Sequence, residues 1–153
     1  MTQNTAHYQT RDQRLATAVY SKVLAIQATY NKHHTNQMHG DTSQSGSTNP
    51  QLDQYGSMAH RLPILIHKAG LAQALAFVEA RGKEPHKDLL NHLAQVILGE
   101  DHNGSELARK SRSSDLREYL LLTQNVLDGL LWFKRFAQSI LGVTADNQKG
   151  HDE

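Results

Sequence analysis

Apolar residues recur at steps of three and four along most of the chain. Between Asp12 and Tyr30 the positions Leu15, Val19, Val23, Ile26 and Tyr30 form one stripe, while Ser21, Lys22 and Gln27 fall off it. That spacing predicts an amphipathic helix with a single buried face. From Asn31 to Pro50 the pattern vanishes, and Met38 is the only apolar side chain. Such a stretch cannot recover its ordering entropy by burial, so a long flexible loop is expected over 31–52. Beyond it, Tyr55 to Leu62 leads into Pro63, which lacks a backbone donor and disfavours helical geometry at Leu62; a kink or break is expected there. Ile64, Leu65 and Ile66 give way to Gly70. Leu71, Ala74, Leu75, Phe77 and Val78 then form a further apolar face that Gly82 would stop. A fourth helix is predicted over about 85–98 from Leu89, Leu90, Leu93 and Val96 or Ile97, with Pro85 in its first turn.

Glu100 to Gly104 reads as a turn, and Ser105 to Lys110 as a short helix. Asp115, with Glu118 three residues on, supplies the N-cap pattern for the last helix, predicted to be the longest and to reach about Leu141. Its apolar positions exceed one stripe, so it either sits centrally or turns a face toward a partner, and the central place is the expectation. No run alternates apolar and polar residues as a half-buried strand would. The fold class expected is all-α: a compact bundle of five to six helices with a long polar loop after the first. It forms a single domain over 11–142, with disordered tails at 1–10 and 143–153.

Composition narrows the chemistry. Hydrophobic residues make up 38% of the 153, and the polar loop and tails account for the shortfall from ordinary globular proteins. Sixteen Lys and Arg against fifteen Asp and Glu give a net charge of +1, so any nucleic-acid contact must come from a local patch. With no cysteine there is no disulfide, thiolate metal site, iron–sulfur cluster or thiol nucleophile. The first residues show no signal-peptide pattern and no apolar run could span a bilayer, so a cytoplasmic protein without membrane association is expected.

Ten histidines raise the question of a metal, but His60 with His67, and His86 with His92, lack the spacing that puts two ring nitrogens on one turn of a helix face. His33, His34 and His39 read as solvated residues of the polar loop. The carboxylates lie beside basic neighbours, as in Glu79 with Arg81 and Lys83, or Glu84 with Lys87, and no phosphate-cradling or nucleophile motif occurs. No catalytic residue, metal or cofactor is expected. Two basic clusters stand out: Arg61 with Lys68 near the proposed bend, and Lys134-Arg135 among Trp132, Phe133 and Phe136. Cations that meet phosphates and aromatic faces that stack on bases are the ingredients of single-stranded RNA contact. A third group, Arg109, Lys110, Arg112 and Arg117, reads as offset by Glu106, Asp115 and Glu118.

Four blocks together carry a family resemblance: Arg14-x-x-x-Ala18-x-Tyr20-x-x-Val23; Tyr55-Gly56-Ser57-Met58-Ala59-His60-Arg61-Leu62-Pro63-x-Leu65-Ile66; Gly70-Leu71-Ala72-Gln73-x-Leu75-Ala76-Phe77; and Trp132-Phe133-Lys134-Arg135-Phe136-Ala137. Over roughly residues 11 to 141 the chain resembles the small helical subunit of the Cmr-type (type III-B) CRISPR effector complex. The resemblance implies a non-catalytic protein of antiviral defence. Several copies of it would stack beside the Cmr backbone and large subunits and help hold guide RNA and target RNA. It places Arg61, Lys134 and Arg135 at recurrent basic positions, to which Lys68 and Arg14 are added here, in contact with RNA or a neighbouring subunit. The alternative is a helical protein–protein adaptor that touches no RNA.

Overall fold

The stripe begun by Leu15 becomes α1 (Arg11–Gln37), which buries Val19, Val23, Ile26 and Tyr30. The computed structural model describes residues 8–37 and 49–145. Helix α1 does not stop at Tyr30, so the first part of the predicted loop is helical. Asn31 to Gln37 contains neither Gly nor Pro, and polar residues cost a helix at most about 0.7 kcal/mol each, too little to end one already propagating. At 27 residues α1, not the last helix, is the longest. The predicted loop is shortened from its other end as well, because α2 (Pro50–Ala69) starts inside it. Asn49 is the buried N-cap: its side chain accepts from Gln51 N at 3.0 Å and donates to the carbonyl of Tyr30 at 3.0 Å, tying the start of α2 to α1. Residues 38–48 of the expected loop, and 1–7 and 146–153 of the expected tails, lie outside the described residues.

Of the kink or break expected at Pro63, the break does not occur, since α2 runs through it to Ala69. An interior proline costs a helix about 3 kcal/mol. Here Ala59, Leu62 and Ile66 on either side of it are buried, and α2 packs on α3, α4 and α6. Tertiary burial of that face outweighs the lost backbone bond. Gly70, at φ 85°, then turns the chain into α3 (Leu71–Arg81), which ends at Gly82 as the sequence predicts. Helix α4 (Glu84–Leu98) carries Pro85 in its first turn and buries Leu89, Leu90, Leu93 and Ala94.

Helix α5 (Gly104–Ser113) is longer than predicted because Asn103 caps it, accepting from Glu106 N at 3.0 Å. It lies close on α4: Asn91 accepts from Gly104 N at 2.9 Å, and a Cβ at Gly104 would come within 2.7 Å of Leu90 Cβ. Asp115 caps α6 (Leu116–Ser139), accepting from Glu118 N at 2.9 Å. Helix α6 packs on α1, α2 and α4, the central place expected of it. Six helices and no strand among the described residues make the fold all-α. After α6 the chain folds back, and Leu141 and Val143 are buried, so the expected loose tail does not begin at 143. Val143 N donates to Ala137 O at 3.0 Å, and its side chain fills the space that Gly56 leaves open on α2.

Candidate RNA and subunit interface

Arg61 stands exposed on α2, facing the first turn of α4. There His86 Nδ1 accepts from Lys83 N at 3.1 Å, which defines a neutral ring. Burial holds the His86 pKa below its ordinary value, and the charges of Lys83 and Arg61 depress it further. Arg61 and Lys83 therefore lie together around the neutral His86, with Glu84 beside Lys83 on the same turn. Lys83 is missing from the predicted site because nothing in linear spacing brings it to Arg61; the turn at Gly82 does. Lys68 is exposed two turns further along α2, its ammonium without a hydrogen bond or ion pair among the described residues.

The second predicted cluster divides. Phe133 is core. Trp132 donates through Nε1 to Asp12 at 3.0 Å and stacks on Phe136, ring centroids 5.6 Å apart, and Phe136 meets Tyr20 edge-on at 5.3 Å. Arg135 lies over the Trp132 ring at 5.2 Å. These aromatic rings fasten α1 to α6, so they are engaged within the fold. Lys134 is half-buried and has no ion-pair partner among the described residues. Arg14 lines a hollow of about 320 Å³ with Arg11, Val96, Ile97 and Asn125. Arg11 is committed there to Asp128 at 3.0 Å and Asn125 at 2.7 Å, whereas the Arg14 side chain makes no such bond among the described residues. Arg61 and Lys68 thus belong to α2, Lys134 and Arg135 to α6, and Arg14 to α1.

In the third basic group one cation is directly paired, and by a carboxylate other than those the sequence suggested. Glu106 pairs with His102, Asp115 is spent on the N-cap of α6, and Glu79 takes Arg112 at 3.7 Å. Arg109, Lys110 and Arg117 have no carboxylate partner among the described residues.

Buried polar groups at the junction of α1, α2 and α4 serve the fold. Tyr30 hydrogen-bonds to Asp88, and Tyr55 to His92 Nδ1 at 2.8 Å. A hollow of about 650 Å³ beside them is lined by His33, Asn49, Glu84 and Asp88, so it presents two carboxylates, the wrong sign for a phosphate. His33 lies on α1, not in a loop. His60 is buried with Nε2 on the carbonyl of Val143 while His67 is exposed, so the two do not converge. Among the described residues no three His, Asp or Glu are grouped to hold a metal, and no helix is long and apolar enough to cross a membrane.

The family model described as CRISPR-associated protein (Cas_Cmr5) matches residues 11–140, from the first residue of α1 to the residue after α6. Over 88 residues the chain is 52% identical to the CRISPR system Cmr subunit Cmr5 of Thermus thermophilus, spanning 58% of this chain and 75% of that protein. The crystal structure of a CRISPR-associated Cmr5 family protein from the same organism superposes with a TM-score of 0.66 at 40% identity, covering 87% of this chain and 98% of that one.

Proposed function

The chain belongs to the Cmr5 family of CRISPR-associated proteins, and from that premise we propose that it is a non-catalytic structural subunit of a type III-B ribonucleoprotein. It stacks in several copies beside the backbone subunits and helps hold guide and target RNA in cytoplasmic antiviral defence. The observation that carries the RNA part is the fold's placing of two cations far apart in sequence, Arg61 of α2 and Lys83 at the start of α4, around one histidine. One such pair gives few phosphate contacts, so affinity comes from copies aligned along one RNA.

The test is reconstitution of the complex with wild-type chain or with Arg61→Glu/Lys83→Glu, followed by target RNA capture across a salt series. Capture should weaken and its salt dependence flatten in the variant, with helicity unchanged. Equal capture by both would reject the RNA role and favour the protein-only adaptor. The isolated chain is expected to bind RNA weakly, and tight salt-insensitive binding by the monomer would count against the reading.

A further inference from the structure

One face of α6 is turned outward and is apolar. Leu116, Leu120 and Leu131 are 74%, 59% and 46% exposed, and at 100° per residue they fall on one stripe with the half-buried Leu127. Leu121, 63% exposed, lies about a third of a turn round from it on the side away from the core. The buried side of the same helix, Leu122, Val126, Leu130, Phe133 and Ala137, lies about a third of a turn round from that stripe. Exposed leucines scattered singly need no explanation, but Leu116, Leu120 and Leu131, joined along one stripe by Leu127, form an apolar line of the kind that marks an interaction surface. The rest of the chain offers little to cover it. Residues 1–7, 38–48 and 146–153 contain Met1, Ala6 and Met38 as their apolar side chains.

The edges of the stripe say what does cover it. Arg117 near one end and Lys134 and Arg135 near the other border the leucines. Of the carboxylates of α6, Glu118 projects away from the stripe by helical spacing, while Asp128 lies on the same flank as Arg117 and Arg135 but is already paired with Arg11 and bonded by Gln124. A second copy laid antiparallel on this face would set Arg117 against Lys134 and Arg135, cation on cation. We infer that this α6 face docks a segment of a different protein subunit that presents an apolar ridge edged by Asp and Glu. The inference rests on the assembly proposed above and assigns Lys134 and Arg135 to subunit contact, leaving Arg61 and Lys83 to RNA.

The test compares the wild-type chain with Leu120→Gln/Leu131→Gln in the reconstituted assembly, with a carbodiimide joining Lys134 to any carboxylate it touches. Both leucines are exposed, so the variant should keep wild-type helicity and melting temperature. Its recovery with the other Cmr subunits should fall about tenfold or more, the loss expected when two buried leucine contacts are removed. In the wild type, Lys134 should cross-link to an Asp or Glu of another subunit. Wild-type recovery of the variant, a Lys134 cross-link to a second copy, or lost RNA with every subunit retained would each overturn the inference. If the wild-type chain itself is not recovered with Cmr subunits, the assembly reading fails and takes this inference with it; if both chains assemble equally, this inference alone fails.

Discussion

His60 donates through Nε2 to the backbone carbonyl of Val143, 2.9 Å away and 83 residues along the chain. The carbonyl can only accept, so the ring proton on Nε2 is fixed by its partner. His60 is buried, and this bond holds the chain leaving α6 against the middle of α2. Replacing His60 by Phe should cost about 1–3 kcal/mol, the penalty for leaving a buried acceptor unpaired. Thermal melts would measure it, and limited proteolysis should show faster cutting beyond Ser139. An unchanged cleavage rate would mean that packing of Leu141 and Val143 suffices without the bond.

Gly56 and Val143 form the steric half of the same closure. A Cβ on Gly56 would stand 2.6 Å from Val143 Cβ, closer than real side chains come. Gly56→Ala should therefore destabilise by about 1–3 kcal/mol as overpacking, despite the gain of up to about 1 kcal/mol in helix propensity. In a double-mutant cycle Val143→Ala should recover only part of the loss, because the Cβ–Cβ approach survives it. Full additivity of the two substitutions would show that the contact is not the cause.

Stability should fall on mild acidification. Burial, the largest influence, brings the His92 pKa down from 6.5 to about 4, with Lys22 adding to it and Asp88 opposing. A depressed histidine pKa means that the unfolded chain binds the proton first, so stability is full above about 6.5 and declines as pH drops toward 4. The decline attributable to His92 is on the order of 3 kcal/mol, at 1.36 kcal/mol per unit. His86, also lowered, acts in the same direction. Denaturant melts between pH 7 and about 4 would show the slope, and His92→Gln should flatten it. An equally steep slope in that variant would assign the effect to other groups.

Trp132 gives a local reading of the α1–α6 seam. Its indole N–H is held by Asp12, and its ring stacks on Phe136 and is approached by Arg135. Asp12→Ala should cost less than about 1 kcal/mol, the usual worth of an exposed polar contact. It should nonetheless shift the tryptophan emission, since no other tryptophan is present. A large drop in melting temperature would show that the first turn of α1 carries more of the fold than its exposure implies.

The helices were legible wherever one apolar face repeats, as from Leu15 to Tyr30 or Leu89 to Leu93, because burial of a stripe is a property of spacing. Two boundaries were misjudged for one reason: polar composition and proline are local signals. The run after Tyr30 stays helical for want of a breaker, and the helix around Pro63 is held by what Leu62 and Ile66 touch on other elements. The site was legible as residue types but not as groupings. Arg61 gains Lys83 through the turn at Gly82, the aromatics beside Lys134 and Arg135 are claimed by Tyr20 and Asp12 of α1, and Arg112 is taken by Glu79 of α3. Each depends on contacts between elements far apart in sequence.

Helix α3 receives its cap from a distance, with Ala72 N donating to the hydroxyl of Tyr119 on α6 at 3.2 Å, while Gly70 has no side chain to offer. During synthesis α6 leaves the ribosome after the five helices that precede it. Until then α3 lacks its cap, α2 lacks Val143, and Gln27 of α1 lacks the carbonyl of Ile140 to which it donates at 3.2 Å. The nascent chain can hold helices but cannot shut, and it exposes an open apolar trough to whatever chaperone or neighbour is present. Completion of the fold is timed by α6 and Ile140 to Val143, so a premature stop early in that helix is expected to leave the fold open rather than trim one helix from it.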